Sequence, residues 1–108
     1  MTEHATEAPV LDLLKRMTVD SIEASTLDEE TLMLVRIAAL VAVDAPPASY
    51  LLNIGAAGDA GIDADQVQGV LAAVAPIVGT ARVASAAGNI VRALGFAKEL
   101  AEFETEQT

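Results

Sequence analysis

The chain has 108 residues, of which 53% are hydrophobic and only 3% aromatic, and it carries a formal net charge of −10. This length suits one ordinary domain, and the scarcity of aromatic residues predicts a helical core of closely packed aliphatic side chains. The negative charge argues against nucleic acids and anionic lipid surfaces as partners. The longest strongly apolar run, residues 32–43, is shorter than the roughly 20 residues that cross a bilayer, so no membrane partner is expected.

The N-terminal residues have neither the basic start nor the apolar core of a signal peptide, and the chain contains no cysteine. Both features predict a cytoplasmic protein. We expect a frayed N-terminal tail over residues 1–8, a single helical domain over residues 9–104 and a C-terminal tail over residues 105–108.

The first predicted helix follows Pro9, and Thr18 leaves open whether it continues or a new turn begins. Thr26 and Glu29 predict a capping box for a second helix of about 15 residues, because the hydroxyl can accept from the Glu29 amide while the carboxylate reaches back. The second helix is apolar all round except for Arg36. We therefore expect it to be central and buried on nearly every face.

A double proline ends the second helix and begins the third, which is predicted from about Pro47 to Ala60 because proline lacks an amide donor but suits a first helical turn. Gly61 is expected to end the third helix as a left-handed cap. The small residues near its end would let another helix approach closely.

Asp63 and Gln66 predict a second capping box, which begins a fourth helix. Pro76 and Gly79 are expected to end that helix, and a last helix is predicted from Thr80 onward. The total is an all-α bundle of five or so helices with no convincing strand. At least two of these helices offer no polar face to water, so we expect an obligate homo-oligomer.

Two arginines are candidate anion-binding residues. A guanidinium in an apolar helix, as at Arg36, needs a carboxylate or carbonyl partner, and Asp44 or a residue of another subunit would serve. Alternatively, Arg36 would bind the carboxylate of a substrate in a pocket, assisted by Arg82 at the start of the last helix.

A polar cluster lies where the second and third predicted helices join. Ser49 and Asn53 share a face of the third helix, and Tyr50 is one turn before Asn53. Hydroxyl, phenol and amide groups can orient a substrate or donate to a developing oxyanion, but none accepts a proton well near neutrality. The alternative is that these groups only form hydrogen bonds within the helix joint.

No metal or cofactor site is expected. The chain has no cysteine, and its single histidine, His4, belongs to the predicted tail. The glycines at positions 55, 58 and 61 follow no strand, so they indicate close helix packing rather than a dinucleotide-binding turn.

Residues 27–95 resemble the carboxymuconolactone decarboxylase and alkylhydroperoxidase-like family. The features that carry the resemblance are the apolar second helix, the polar joint after it and the third helix ending in Ala-Gly-Ile. They also include the acidic residues that begin the fourth helix and the Ala-Pro-x-x-Gly turn into an alanine-rich last helix. APPASY and APIVGTARV are especially similar to small bacterial members. The resemblance implies an alkylhydroperoxidase-like helical bundle that assembles with copies of itself as a homotrimer or homohexamer.

The resemblance also locates the residues in which this chain departs from the family. Its redox branch places two cysteines, a histidine and a glutamate at the positions that are Pro46, Ser49, Asn53 and Leu34 here. Without a thiolate, a cysteine-dependent peroxidase is excluded. The decarboxylase branch uses the histidine for proton transfer, which the carboxamide of Asn53 cannot perform.

Two functions remain open at this stage. One is a cofactor-independent lyase or binder of a small organic acid, in which Asp44, Tyr50 or a neighbouring subunit would supply the acid or base, Ser49 and Asn53 would orient the substrate, and Arg36 or Arg82 would hold its carboxylate. The other is a noncatalytic homo-oligomeric scaffold or binding module.

Overall fold

The computed structural model describes residues 8–107, with only the backbone at positions 96, 97, 99–101 and 103–107. His4 and most of the predicted N-terminal tail lie outside the described residues. Over residues 8–107 the chain is all-helical and has no strand, as predicted. The helices are α1 (Pro9–Ala24), α2 (Glu29–Ala42), α3 (Pro47–Asp59), α4 (Ala64–Val78) and α5 (Thr80–Gln107).

The last helix extends further than the sequence suggested. Residues 105–107, expected to belong to a C-terminal tail, continue α5 as far as Gln107. None of the helices within residues 8–107 is both long and apolar enough to cross a membrane.

Helix α1 is continuous through Thr18, so the chain forms one helix where a new turn was an alternative. No residue of α1 is buried. Among the described residues, its hydrogen bonds to the rest of the protein come from Arg36 of α2, whose Nη2 donates to the Thr18 carbonyl at 3.4 Å and to the Ser21 hydroxyl at 3.1 Å. Helix α1 is thus attached to the helical body by one side chain rather than packed into it.

The predicted capping box at Thr26 is wrong, because Asp28 is the N-cap of α2. The Asp28 carboxylate accepts a hydrogen bond from the Thr31 amide at 2.8 Å. That bond from the Thr31 backbone, with a further contribution from the Thr31 side chain, holds the pKa of Asp28 below its usual 3.8. A carboxylate caps at least as well as a hydroxyl and also interacts favourably with the positive end of the helix dipole.

Helix α2 packs against α3, α4 and α5, and α5 likewise packs against three helices, so α2 is one of two central helices rather than the single one that was predicted. It is not buried on nearly every face, however. Val35 is 51% exposed and Arg36 is half-buried, so one side of α2 faces α1 and solvent. The buried side chains of α2 are those of Leu32, Met33, Ile37 and Val41.

The joint between α2 and α3 follows the predicted proline pattern. Asp44 adopts a left-handed conformation with φ 55°, and Pro47 is the first residue of α3. After α3 the chain reverses at Gly61, whose φ of 89° is the predicted left-handed conformation. This conformation is open to glycine without steric cost, so Gly61 allows the sharp turn from α3 into α4.

The capping box of α4 is confirmed. The Asp63 carboxylate accepts from the Gln66 amide at 2.9 Å, and the Gln66 side-chain oxygen accepts from the Asp63 amide at 3.0 Å. Pro76 does not end α4, because it lies inside the helix, which continues to Val78. The helix ends at Gly79, whose φ is 90°.

The body of the protein is built from α2 to α5. Helix α5 packs against α2, α3 and α4, and α2 packs against α3 and α4. The buried side chains form two clusters, and most of them are small or aliphatic, as the composition predicts. One cluster comprises Val41, Ala45, Tyr50, Ala86 and Ala93, and the other comprises Leu32, Met33, Ile37 and Ala57.

Candidate functional site

A cavity of about 380 Å³ lies between α3, α4 and α5, with Ile37 of α2 also contributing to its wall. Most of its lining is aliphatic, including Ile54, Leu71 and Ile90. The polar side chains among the described lining residues are those of Tyr50, Asn53, Asp63 and Gln68. Predominantly apolar walls with a few polar groups are typical of small-molecule sites.

The helical repeat explains which residues reach the cavity. Tyr50, Ile54 and Ala57 recur on α3 at intervals of three or four residues, so they share one face of that helix. Val67 and Leu71 do the same on α4. Each helix therefore presents a narrow apolar face to the cavity, and the polar joint lies at the beginning of α3.

Tyr50 is the most buried of the polar residues that line the cavity. Its side chain is 1% exposed, and its hydroxyl has no hydrogen-bond partner among the described residues. Burial, and then the negative charge of Asp44, raise the pKa of Tyr50 above its usual 10.0. The phenol is therefore neutral over the physiological range and can donate one hydrogen bond.

Asn53 lines the cavity beside Tyr50, whereas Ser49 does not line it. The Asn53 side-chain amide donates to the Ser49 carbonyl at 2.8 Å. The Ser49 amide in turn donates to the Pro46 carbonyl at 3.0 Å in the first turn of α3. Of the predicted polar cluster, the structure brings Tyr50 and Asn53 to the cavity and leaves Ser49 within the helix joint.

Asp44 lies at the joint but does not line the cavity. Its carboxylate accepts from the Ser85 hydroxyl of α5 at 2.7 Å. One turn further along α5, the Asn89 side chain donates to the Ala45 carbonyl at 3.1 Å. Sequence reasoning missed Ser85 and Asn89, although their spacing of four residues could have marked them as one polar strip on α5.

Neither of the two predicted anion-binding arginines lines the cavity. Arg36 donates to α1, as described above, and Arg82 donates to the Ala42 carbonyl at the end of α2. Asp44 was one of two predicted partners of Arg36, the other being a residue of another subunit, and the contacts of Arg36 within the chain are instead to Ser21 and the Thr18 carbonyl. None of the described residues that line the cavity is basic.

The chemical capacity of the site follows from these groups. A neutral phenol and a carboxamide can hold and orient a ligand, but neither removes a proton near neutral pH. Asp63 already accepts a hydrogen bond at the start of α4. Among the side chains that the structure describes, no three His, Asp or Glu residues lie close enough together to hold a metal ion.

Comparisons of the chain with models of known protein families, with curated proteins and with solved structures find no significant match. The resemblance to the carboxymuconolactone decarboxylase and alkylhydroperoxidase-like family stays a prediction from the sequence.

Proposed function

We propose that this protein binds a small, neutral and largely apolar molecule that carries a carbonyl group, in the cavity between α3, α4 and α5. The observation that carries the proposal is the buried hydroxyl of Tyr50, which lacks a partner beside an apolar cavity. A buried donor without a partner costs about 1–3 kcal/mol. The hydroxyl is fully buried in the ligand-free chain, so a ligand carbonyl would accept this hydrogen bond, and recover that free energy, once a movement at Tyr50 uncovers the oxygen.

The size of the cavity supports a small molecule. Its volume of about 380 Å³ falls within the range of roughly 300–1,000 Å³ that is usual for ligand sites. An apolar cavity of about 150 Å³ already accommodates a benzene ring in other proteins. The cavity therefore has room for a substituted aromatic or alicyclic ring.

The charge of the lining favours a neutral ligand over the organic acid expected from the family resemblance. A carboxylate moved out of water needs a cation or several hydrogen-bond donors. The described lining residues include the carboxylate of Asp63 but no positively charged side chain. Arg36 and Arg82 form their hydrogen bonds elsewhere. A carbonyl or lactone needs only one donor, which Tyr50 can supply.

The available side chains favour binding over catalysis. A lyase needs a group that exchanges a proton near neutrality, and Tyr50 stays protonated there because even the usual pKa of 10.0 lies far above neutrality and burial raises it further. We propose that the protein is carboxymuconolactone decarboxylase-like and retains a small-molecule site but not the decarboxylase activity. The all-helical architecture and the position of Asn53 at the cavity support this proposal.

The proposal can be tested with two probes of similar size, acetophenone and benzoate, which differ in charge. We expect calorimetry to detect binding of acetophenone and a much weaker interaction with benzoate. Gly58→Leu should abolish acetophenone binding, because Gly58 lines the cavity and a side chain there fills open space. Equal binding of the two probes would contradict the proposal.

Gly55→Leu is the matched control for that variant. Gly55 lies on the same helix, a side chain there also meets open space, and Gly55 does not line the cavity. We expect this control to bind acetophenone as the original protein does. Unchanged binding in Gly58→Leu would show that the probe occupies another place.

A conservative variant tests the role of the phenol. Tyr50→Phe should weaken acetophenone binding by about fivefold, because a hydrogen bond contributes roughly 1 kcal/mol net. Ethylbenzene, which has no carbonyl, should bind both proteins equally. A similar loss for both probes would show that Tyr50 contributes only shape.

A further inference from the structure

Asn53 offers a second polar group to the cavity, one helical turn after Tyr50. It lines the cavity and is half-buried. Residues three apart on a helix have Cβ atoms about 5–6 Å apart, so Tyr50 and Asn53 are neighbours on the face of α3 that lines the cavity. A ligand that meets one of these side chains therefore lies beside the other.

Hydrogen bonding within α3 fixes the orientation of the Asn53 side-chain amide. Its nitrogen, Nδ2, donates to the Ser49 carbonyl at 2.8 Å. A carbonyl oxygen only accepts, so the atom that meets it is Nδ2 and not Oδ1. Ser49 does not line the cavity. The nitrogen is thus directed to the backbone of the helix joint, and the oxygen Oδ1 remains for a ligand.

The oxygen of Asn53 is accessible without a movement of the protein. Among the described residues, none donates a hydrogen bond to Oδ1, and the Tyr50 hydroxyl is the only buried polar side-chain atom that lacks a partner. An acceptor that has no partner within the protein and is not buried is open to water. Asn53 can therefore meet a ligand before Tyr50 is uncovered.

A carboxylate adds a second acceptor to the lining. One oxygen of Asp63 accepts from the Gln66 amide at 2.9 Å, and the other accepts no hydrogen bond from the described residues. Gln68 is exposed, and no hydrogen bond to a described residue fixes its side chain. The accessible polar atoms whose orientation is fixed are therefore acceptors, which favours a ligand that brings a hydrogen-bond donor.

We propose that the ligand is a carboxamide, which donates its N–H to Oδ1 of Asn53 and, once Tyr50 is uncovered, accepts from the Tyr50 hydroxyl with its carbonyl. A carboxamide is neutral and carries a donor and an acceptor on one carbon atom, whereas a ketone or a lactone offers only acceptors. Asn53 is the residue that selects for the N–H. This proposal rests on the proposed function, because it concerns a ligand of the same cavity.

Benzamide and acetophenone test the proposal, because they differ only in an amino group in place of a methyl group. We expect calorimetry to show that benzamide binds the original protein about fivefold more tightly than acetophenone, the effect of one net hydrogen bond. An amide N–H that leaves water without finding an acceptor lowers affinity. Equal affinities, or tighter binding of acetophenone, would overturn the proposal.

Asn53→Leu removes the acceptor and keeps a side chain of similar size. It should reduce the ratio of the two affinities to about one or below, because the benzamide N–H loses its partner. A ratio that stays near fivefold in this variant would overturn the role of Asn53.

Asn89→Leu is the matched control for that variant. Asn89 is also half-buried and also donates its side-chain amide to a backbone carbonyl, that of Ala45 at 3.1 Å, but it does not line the cavity. The ratio of the two affinities should stay near fivefold in this control. A loss of the ratio in both variants would show that helix packing, and not the oxygen of Asn53, sets the preference.

A measurement on the original protein keeps the proposal testable if Asn53→Leu does not fold. Intermolecular nuclear Overhauser effects should connect the amide protons of bound benzamide with the side-chain protons of Asn53. Effects that connect these amide protons with Gln68 and not with Asn53 would overturn the assignment.

Failure of this proposal differs from failure of the proposed function. Equal binding of benzamide and acetophenone would overturn the carboxamide alone and leave a site for neutral carbonyl compounds. Binding of neither probe would overturn both proposals.

Discussion

At the scale of single residues, Tyr50 distinguishes this core from an ordinary aliphatic one. Tyr50 and Val41 are the largest fully buried side chains, and several of their buried neighbours are alanines. The phenol ring fills volume that small residues leave open, while its hydroxyl has no partner among the described residues. The same residue thus supports the packing and carries an unsatisfied donor.

This donor leads to a prediction for the ligand-free protein. Tyr50→Phe should raise the free energy of unfolding by about 0.5–1 kcal/mol, because it removes an unpartnered polar group and keeps the ring. Urea unfolding near neutral pH measures the change. A decrease of more than about 1 kcal/mol would show that the hydroxyl is hydrogen-bonded without a ligand.

The titration of Tyr50 predicts how stability depends on pH. Burial and Asp44 raise its pKa above 10.0, so the folded protein holds the phenolic proton more tightly than the unfolded chain. This contribution is fully present below pH 10 and is lost as the pH rises through the raised pKa. Urea unfolding above pH 10 should show a steeper loss of stability for the original protein than for Tyr50→Phe. Parallel losses would contradict the raised pKa.

At the scale of elements, glycines of α3 and its turn have opposite roles. Gly58 lies within α3 where a Cβ meets nothing within 4 Å, whereas Gly61 has φ 89°. Gly58→Ala should raise the free energy of unfolding by about 0.5–1 kcal/mol through helix propensity. Gly61→Ala should lower it by about 1 kcal/mol or more, because alanine is strained there. Thermal unfolding of both variants measures the difference, and the same sign for both would contradict this assignment.

The boundaries of the helices could be predicted where a local signal decides them. The proline at position 47, the glycine at position 61 and the Asp63–Gln66 capping box act on neighbouring backbone groups and behave as the sequence suggests. The predicted capping box at Thr26 is wrong because Asp28, two residues later, is the N-cap of α2. The prediction that Pro76 ends α4 is wrong, since the helix continues past it to Val78 and ends at Gly79.

At the scale of the whole molecule, the sequence indicated which residues are polar within the apolar segments but not which residues meet. Arg36 contacts Ser21, 15 positions away, and Asp44 contacts Ser85, 41 positions away. Such contacts depend on how the helices pack, which the periodicity of one segment does not determine. The cavity likewise arises from three helix faces, so Tyr50 and Asn53 were found as candidates whereas Asp63 and Gln68 were missed as lining residues.

Exposed apolar side chains remain at two places in the single chain. On α1, Val10, Leu13, Leu14 and Met17 are 48% to 67% exposed, and on α5, Val91 and Leu94, which line the cavity, are 67% and 50% exposed.

The most direct test of the proposed ligand site uses the only tyrosine in the chain. Tyr50 labelled with ¹³C gives one set of ring resonances, which can be followed while acetophenone is added. We expect these resonances to shift in a saturable manner in the original protein and to stay unchanged in Gly58→Leu. Resonances that do not move at saturation, or that move equally in both proteins, would contradict the account.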